Sequence, residues 1–360
     1  MKDYYKTITH DIFQKLIVLS VFLIPLFFWP NHEPRLMKFI CFQTTVMIML
    51  AFSFMFTPKR TIDNFYPGLF VLLGFLNLFT HGMSDFVNVG MGFIMTAVIG
   101  IYVVSNHLHI DNVPLIKKSI VILCIINCAL FLTQKMGLNI VFLPDEHGRP
   151  SGFMCYPASF AMLCAISLFL SWEWKKWLCT PIALCLIMSN EFSVILGLIV
   201  AFCFGVRWRF TRHCLVLIPV ILTLGIIGWH LWPAIYSKSL IRFKYLYPVI
   251  QNVWARPIDG WGVGMYNRLP DSFFGFPRGN WSEMHCEPLD LFFCMGIMGV
   301  AIVVGWIKKV SNYTYMNYKK IFIVFGITSC FHSPFHFADT LWLFVILYSL
   351  MEIENEEYSS

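Results

Sequence analysis

Apolar runs of roughly 17–25 residues recur along the whole sequence, each about long enough to cross a hydrocarbon core of about 30 Å as a helix. Lipid offers no partner to an open backbone N–H or C=O, so such runs must close their hydrogen bonds internally as helices. The fold class that follows is all-α, a polytopic integral membrane protein. Composition removes the soluble alternative, because 58% hydrophobic residues against 13% charged leave too little polar surface to cover a globule of 360 residues.

Apolar length and polar breaks predict about 12 transmembrane helices, at 12–30, 36–57, 66–82, 87–105, 114–135, 153–172, 176–189, 191–206, 213–235, 286–306, 318–333 and 338–352. The seventh and eighth are short and meet at "SNE", Ser189 to Glu191, so they read equally as one long broken helix. The N-terminal apolar stretch is long enough to span and has no small-residue cleavage site, which reads as a retained first span rather than a signal peptide. With no internal repeat and no low-complexity region, residues 1–360 read as a single membrane domain.

The formal charge of +6 sits in short clusters between the apolar runs, a pattern that sets topology rather than binding nucleic acid. Every second connection is basic: Lys2 and Lys6, Lys59 and Arg60, Lys117 and Lys118, Lys175 and Lys176, Arg207 with Arg209 and Arg212, then Lys308, Lys309, Lys319 and Lys320. By the positive-inside rule both termini lie in the cytoplasm, and "NHEPR", "HGMSD", "SNE" and "FHSPFHFAD" lie outside. Most of the 12 cysteines fall inside spans and no CxxC occurs, so they read as small apolar packing residues.

Two outside connections are long enough to hold chemistry, 135–152 and 236–285, the latter between the ninth and tenth helices. The second is basic on the side where few positive charges are expected, through Lys238, Arg242, Lys244, Arg256, Arg268 and Arg278. Something anionic accounts for that, either a bound phosphate or lipid headgroups. Within it, Ile241, Tyr245, Leu246, Ile250, Val253 and Trp254 are spaced for an amphipathic helix lying on the membrane. Gly260, Gly262 and Gly264 follow, and they suit tight turns that bring the backbone close to another element.

Pro288 suits the first turn of a helix, which then starts near Glu287 and holds His285 just outside the membrane beside a helix N-terminus. Free amides and partial positive charge there favour phosphate, and the forked guanidinium of Arg242 complements such a pocket. A metal reading gathers His285, Glu287 and Asp290 with His332, His336 and Asp339. Pro334 breaks the helical face between His332 and His336, and no spacing matches a closed zinc site, so no metal is expected. His332 and His336 are then loop-end polar residues or line the same outside cavity, and Glu191 has the same two readings.

The order of landmarks resembles the O-antigen ligase and O-antigen polymerase family of polytopic glycosyltransferases. "GRPSGFMCYPASFAMLCAISLFL" resembles its arginine-led approach to a middle span; "IRFKYLYPVIQNVWARPIDGWGVGMYN" resembles its long loop of arginine, aromatic helix, proline and "G.G..Y"; and "HCEPLDLFFCMGIMGV" resembles its histidine, following leucine and closing "G..G". Together these cover about half the chain. The chain departs from the family at Cys286, at Cys294 and at Asn190, where asparagine, glutamate and arginine are usual.

The resemblance implies a donor glycan on undecaprenyl diphosphate, an acceptor that is another glycan or lipid A core, and a site at the periplasmic face of the bacterial inner membrane. It implies no cofactor, metal or nucleotide. It makes His285 the base that takes the acceptor proton, Arg242 the diphosphate clamp and Arg149 a second contact, with Glu287, Arg256, Arg278 and His332 as further site lining. Arg149, Arg256 or Arg278 would then stand in for the arginine absent at Asn190. The expected activity is a metal-independent, inverting transfer, by a ligase or by a repeat-unit polymerase; a lipid-linked sugar transporter or flippase is the alternative from another class.

Overall fold

The computed structural model describes residues 2–27, 34–56, 58, 65–81, 85–138, 149–154, 156–205, 246–247, 249–262, 286–313 and 316–359. Among them the regular structure is entirely helical, with no strand. Eleven α-helices are present among the described residues: α1 (Lys2–Leu26), α2 (Pro34–Ser53), α3 (Phe65–His81), α4 (Asp85–His107), α5 (Val113–Lys135), α6 (Pro157–Trp174), α7 (Cys179–Met188), α8 (Phe192–Gly205), α9 (Glu287–Ser311), α10 (Met316–Ser329) and α11 (Ala338–Ser359). The windows Thr9–Leu26, Leu36–Ser53, Ile110–Lys135, Pro157–Trp174 and Glu287–Ser311 are long and apolar enough to cross a membrane. Phe65–Gly74, Gly92–His107, Lys176–Met188 and Phe192–Cys203 are apolar but shorter. The expected ninth span, 213–235, lies outside the described residues.

Helix ends follow local chemistry. Pro114, Pro157 and Pro288 stand in the first turns of α5, α6 and α9, where a missing amide hydrogen removes no intrahelical bond. Glu287 and Asp290 open α9, and Lys308 and Lys309 close it, each sign opposing the helix dipole. The seventh and eighth segments are two helices, split where Asn190 takes a left-handed φ of 56°. Ten and fourteen residues reach about 15 and 21 Å, so neither crosses the hydrocarbon core alone. The last helix runs past the expected boundary at 352, carrying the acidic sequence with it.

α6 is the hub. Of its apolar window 78% is buried, against 28% for α9, and it packs on α5, α7, α8, α10 and α11. Phe160 stacks on Phe131 of α5 at 4.5 Å, and the buried Trp342 of α11 donates its indole N–H to the Ser20 carbonyl of α1 at 3.1 Å. α11 runs along α4, α8 along α10, and α3 along α9. Outward faces carry Leu19, Met47, Ile122, Val304 and Ile307, which a water-soluble protein would bury. Lipid tails are as apolar as those side chains, so close packing rather than the hydrophobic effect selects which faces meet.

α9 is interrupted. Gly296 has φ 61° and ψ −160°, a conformation open only to glycine, and a side chain there would collide with the Ile258 carbonyl. Backbone freed by the break is taken up by the segment before the helix: Trp261 N–H donates to Phe293 O at 2.7 Å, Gly262 N–H to Cys294 O at 2.9 Å, and Ile297 N–H to Pro257 O at 2.8 Å. Gly260, at φ 72°, lets this approach happen, as the glycine pattern predicted. Gly264 lies outside the described residues.

Candidate functional site

The segment carrying Arg149 is irregular backbone held by side chains of the helices around it. Gln134 Oε1 accepts hydrogen bonds from the amides of Ser151 and Gly152 at 3.1 and 3.0 Å, and its own amide donates to Gly152 O at 3.2 Å. Asn127 Oδ1 accepts from Phe153 N–H at 2.8 Å, and the Lys38 ammonium donates to Phe153 O. Gly152 has φ +64°, and a Cβ added there would stand 2.8 Å from Asn127 Oδ1. Non-helical backbone inside an apolar bundle persists only with such partners. The backbone at 151–153, just after Arg149, is therefore fixed by α2 and α5.

From that segment Arg149 Nη1 reaches Glu191 Oε1 at 3.2 Å, and its guanidinium lies over the Tyr156 ring at 5.4 Å. Glu191 sits at the α7–α8 turn, where its carbonyl accepts the first amides of α8, those of Val194 and Ile195, at 3.2 Å each. Its side chain is only 6% exposed, whereas that of Arg149 is 43% exposed. On the second oxygen, His332 Nε2 lies 3.3 Å from Glu191 Oε2, and this imidazole is buried. Tyr156 stacks on Phe337 at 5.2 Å and meets His332 edge-on at 5.9 Å, closing the group with aromatic walls. One buried carboxylate thus stands between a guanidinium that reaches solvent and an imidazole that does not.

Behind it lies a second buried pair. Lys38 Nζ is 3.1 Å from Asp339 Oδ2, with side chains 1% and 0% exposed. The other Asp339 oxygen accepts Thr340 N–H at 2.8 Å, and the Thr340 hydroxyl meets that of Ser159 at 2.8 Å. Lys38 did not stand among the expected site residues, and Asp339 entered only through the metal reading. The available signal was a lysine inside an apolar run and an aspartate at the head of another, since an ionisable group at such depth needs a partner.

Residues 330–337 connect these groups to α9. Phe335 N–H donates to Glu287 Oε1 at 3.1 Å, while His336 Nε2 lies 3.7 Å from Glu287 Oε2 and 3.5 Å from Asp290 Oδ2. Glu287, Asp290 and His336 each offer one ligand atom, and those atoms all lie within 4.8 Å of one another. Two carboxylates and an imidazole form a donor set that a divalent cation accepts, closer than the sequence spacing suggested. Cys124, Cys128 and Cys164 form a second such group, a triangle of buried Sγ atoms 3.9 Å apart where α5 meets α6. No disulfide occurs among the described residues.

Of the expected site residues, the structure brings Arg149, Glu287 and His332 to one end of the bundle. Arg256 is in a different setting: its guanidinium lies 5.0 Å over the Trp261 ring, in the turn docked on the broken helix. His285, Arg242 and Arg278 lie outside the described residues. The expected amphipathic helix is helical at 246–247 and 249–253, with a buried face different from the one expected. Val249 and Val253 are buried, packed with Leu73 of α3 and Phe293 and Met295 of α9, while Ile250 and Trp254 are exposed. Its apolar face rests on protein as the break in α9 requires. Cys286 stands just ahead of α9, its carbonyl accepting the amides of Leu289 and Asp290 at 3.1 and 2.9 Å. Burial pushes its thiol up, which keeps it protonated and unreactive.

The sequence matches no protein-family model and no curated protein.

Proposed function

We propose that the chain is a glycosyltransferase that moves a glycan from undecaprenyl diphosphate to an acceptor hydroxyl, as an O-antigen ligase or the related repeat-unit polymerase. The observation that supports this reading is Arg149, a solvent-reaching guanidinium locked in place beside a buried carboxylate and imidazole. Diphosphate leaves readily once its charge is neutralised, and a pre-positioned arginine supplies that without reorganising during the reaction. The resemblance gives the base role to His285, which immediately precedes the described Cys286, and gives Arg242 the clamp role.

The same reading places the site on the periplasmic side of a bacterial inner membrane, in a bundle of about 12 spans with both termini in the cytoplasm. Its support is the way charges sort. Segments assigned outside by the positive-inside rule meet at the Arg149 end, and lysines assigned inside meet acidic residues at the other.

The test supplies purified protein with undecaprenyl-diphosphate glycan and a panel of lipid A core, lipid-linked glycan and protein acceptors, and follows new glycosidic bonds. Wild type is expected to form product, and Arg149→Ala to lose roughly 10²–10³-fold in turnover, the scale of removing one transition-state charge partner. The resemblance further implies that product formation continues in excess chelator; loss under chelation would instead assign Glu287, Asp290 and His336 to a required cation. The buried Lys38–Asp339 pair favours a second reading, a carrier of lipid-linked sugar, because such pairs line transport pathways. Movement of lipid across vesicles without a new glycan bond would select that reading.

A further inference from the structure

Glu287 and Asp290 stand three residues apart in the first turn of α9, so their carboxylates share one face of the helix. The imidazole that meets them comes from a different element. Pro334, which argued against a shared helical face for two histidines, opens a short 3-10 turn that sends them to different partners, His332 to Glu191 and His336 to the acidic pair. Each carboxylate is steadied through its far oxygen: Phe335 N–H donates to Glu287 Oε1 at 3.1 Å, and the Cys294 thiol donates to Asp290 Oδ1 at 3.5 Å. The near oxygens, Glu287 Oε2 and Asp290 Oδ2, face His336 Nε2 at 3.7 and 3.5 Å.

Those two separations distinguish a proton from a metal ion. A charged imidazole donating to a carboxylate would close to about 2.7–2.9 Å, and neither contact does. Ligand atoms about 2.0–2.2 Å from a zinc ion at tetrahedral angles stand about 3.3–3.6 Å apart, close to the observed spacing. All three residues offer donor atoms within 4.8 Å of one another, as a shared ion requires. The helix N-terminus contributes about half an elementary positive charge against the two negative charges of the carboxylates, and a divalent ion supplies the balance. The group is reachable from solvent, with the side chains of Glu287, Asp290 and His336 16%, 21% and 35% exposed, so an ion and a coordinated water can enter.

We propose that Glu287, Asp290 and His336 bind a divalent transition-metal ion, zinc by its geometry, with water completing the tetrahedron, and that the ion fastens the 334–336 turn to the start of α9. An imidazole in the donor set favours zinc over magnesium or calcium, which take oxygen ligands. The inference stands on donor geometry and is independent of the transfer reading. Its test uses the tag-free full chain in lipid nanodiscs, stripped with chelator and titrated with Zn²⁺ or Co²⁺. Wild type is expected to bind one ion at this site, to show the intense visible bands of tetrahedral Co²⁺, and to melt at a higher temperature with saturating Zn²⁺. Asp290→Asn and His336→Gln should each weaken Zn²⁺ binding by more than the roughly 10–100-fold that loss of an outer partner costs. Asp111→Asn, which breaks the His109–Asp111 contact at 3.3 Å elsewhere in the chain, should leave Zn²⁺ binding unchanged.

A wild type that binds no more metal than Asp290→Asn, an octahedral Co²⁺ spectrum, or displacement of Zn²⁺ by an equal concentration of Mg²⁺ or Ca²⁺ would overturn the inference. A thiolate-to-cobalt charge-transfer band would move the ion to Cys124, Cys128 and Cys164 and overturn it as well. The spectra and the competition come from wild type alone, so they decide the assignment even where a variant fails to fold. A chain that binds the ion here and forms no glycan bond loses the transfer reading and keeps the site.

Discussion

The two ends of the bundle use charge in opposite ways. At one end Lys38, Asp339, Glu191 and His332 are sealed in, Lys38 lying 3.1 Å from Asp339 and Glu191 standing between Arg149 at 3.2 Å and His332 at 3.3 Å. At the other, Lys117 spreads over Glu354 at 2.8 Å, Glu173 at 3.8 Å and the Tyr318 ring, while Glu352 collects Lys309 at 3.3 Å and the hydroxyls of Tyr313 and Tyr348. Lys117, Glu173, Glu354 and Lys309 keep some contact with water, whereas Glu352 is as buried as Glu191 but shares its charge among three partners. α11 joins the two ends, from Asp339 to Glu354, about 22 Å along its axis at 1.5 Å per residue. The difference separates a surface that tolerates rearrangement from one that holds a single arrangement. A buried pair stripped of one member leaves an uncompensated charge, whereas a member of a wet cluster is replaced by a neighbour or by solvent.

That contrast can be broken most sharply at Lys38. Lys38→Ala is expected to destabilise the protein by roughly 3–5 kcal/mol, seen as a fall in melting temperature in detergent, with the double variant Lys38→Ala, Asp339→Ala partly restored. Gly296→Ala should cost roughly 1–3 kcal/mol from the forced left-handed backbone, more once the clash with Ile258 is included, and release 257–262 to proteolysis. Glu354→Ala, at the wet end, should cost no more than about 1 kcal/mol by the same melting measurement. A loss there equal to that of Lys38→Ala would erase the distinction between the ends. The smallest effect concerns Cys286. With its thiol raised above the ordinary value of 9.0, maleimide modification should be slow at pH 7 and should accelerate steadily as pH rises, without levelling off by pH 9, followed by peptide mass spectrometry.

Much of the fold was legible because it depends on length and local chemistry. The apolar runs announced helices, Pro288 marked a helix start, and Gly260 and Gly262 signalled a close backbone approach. The α7–α8 split was undecided in the sequence, and what settles it is one left-handed residue, Asn190, with a buried glutamate beside it. The amphipathic segment was legible as a helix but not in its face. Its spacing fits both a lipid surface and a protein groove, and only the broken backbone of α9 selects the groove.

The site was legible in part. Arg149, Glu287 and His332 are polar residues at the ends of apolar runs, which flagged them individually. The partnerships were not visible, because Lys38 and Asp339 are 301 positions apart and Glu191 and His332 come from different turns. Lys38 in particular was absorbed into an apolar window, where one charge barely alters an average over many residues. Its role depends on Phe153 O, a carbonyl exposed only by the irregular path of a distant segment.

The break at Gly296 also bears on how the chain is assembled. The carbonyls of Phe293 and Cys294 accept hydrogen bonds from Trp261 and Gly262, residues outside their own helix. Each such group left open in hydrocarbon costs several kcal/mol, so α9 has no low-energy state in lipid until 257–262 has docked. Membrane insertion of this helix and seating of the segment before it are thus one biogenesis step.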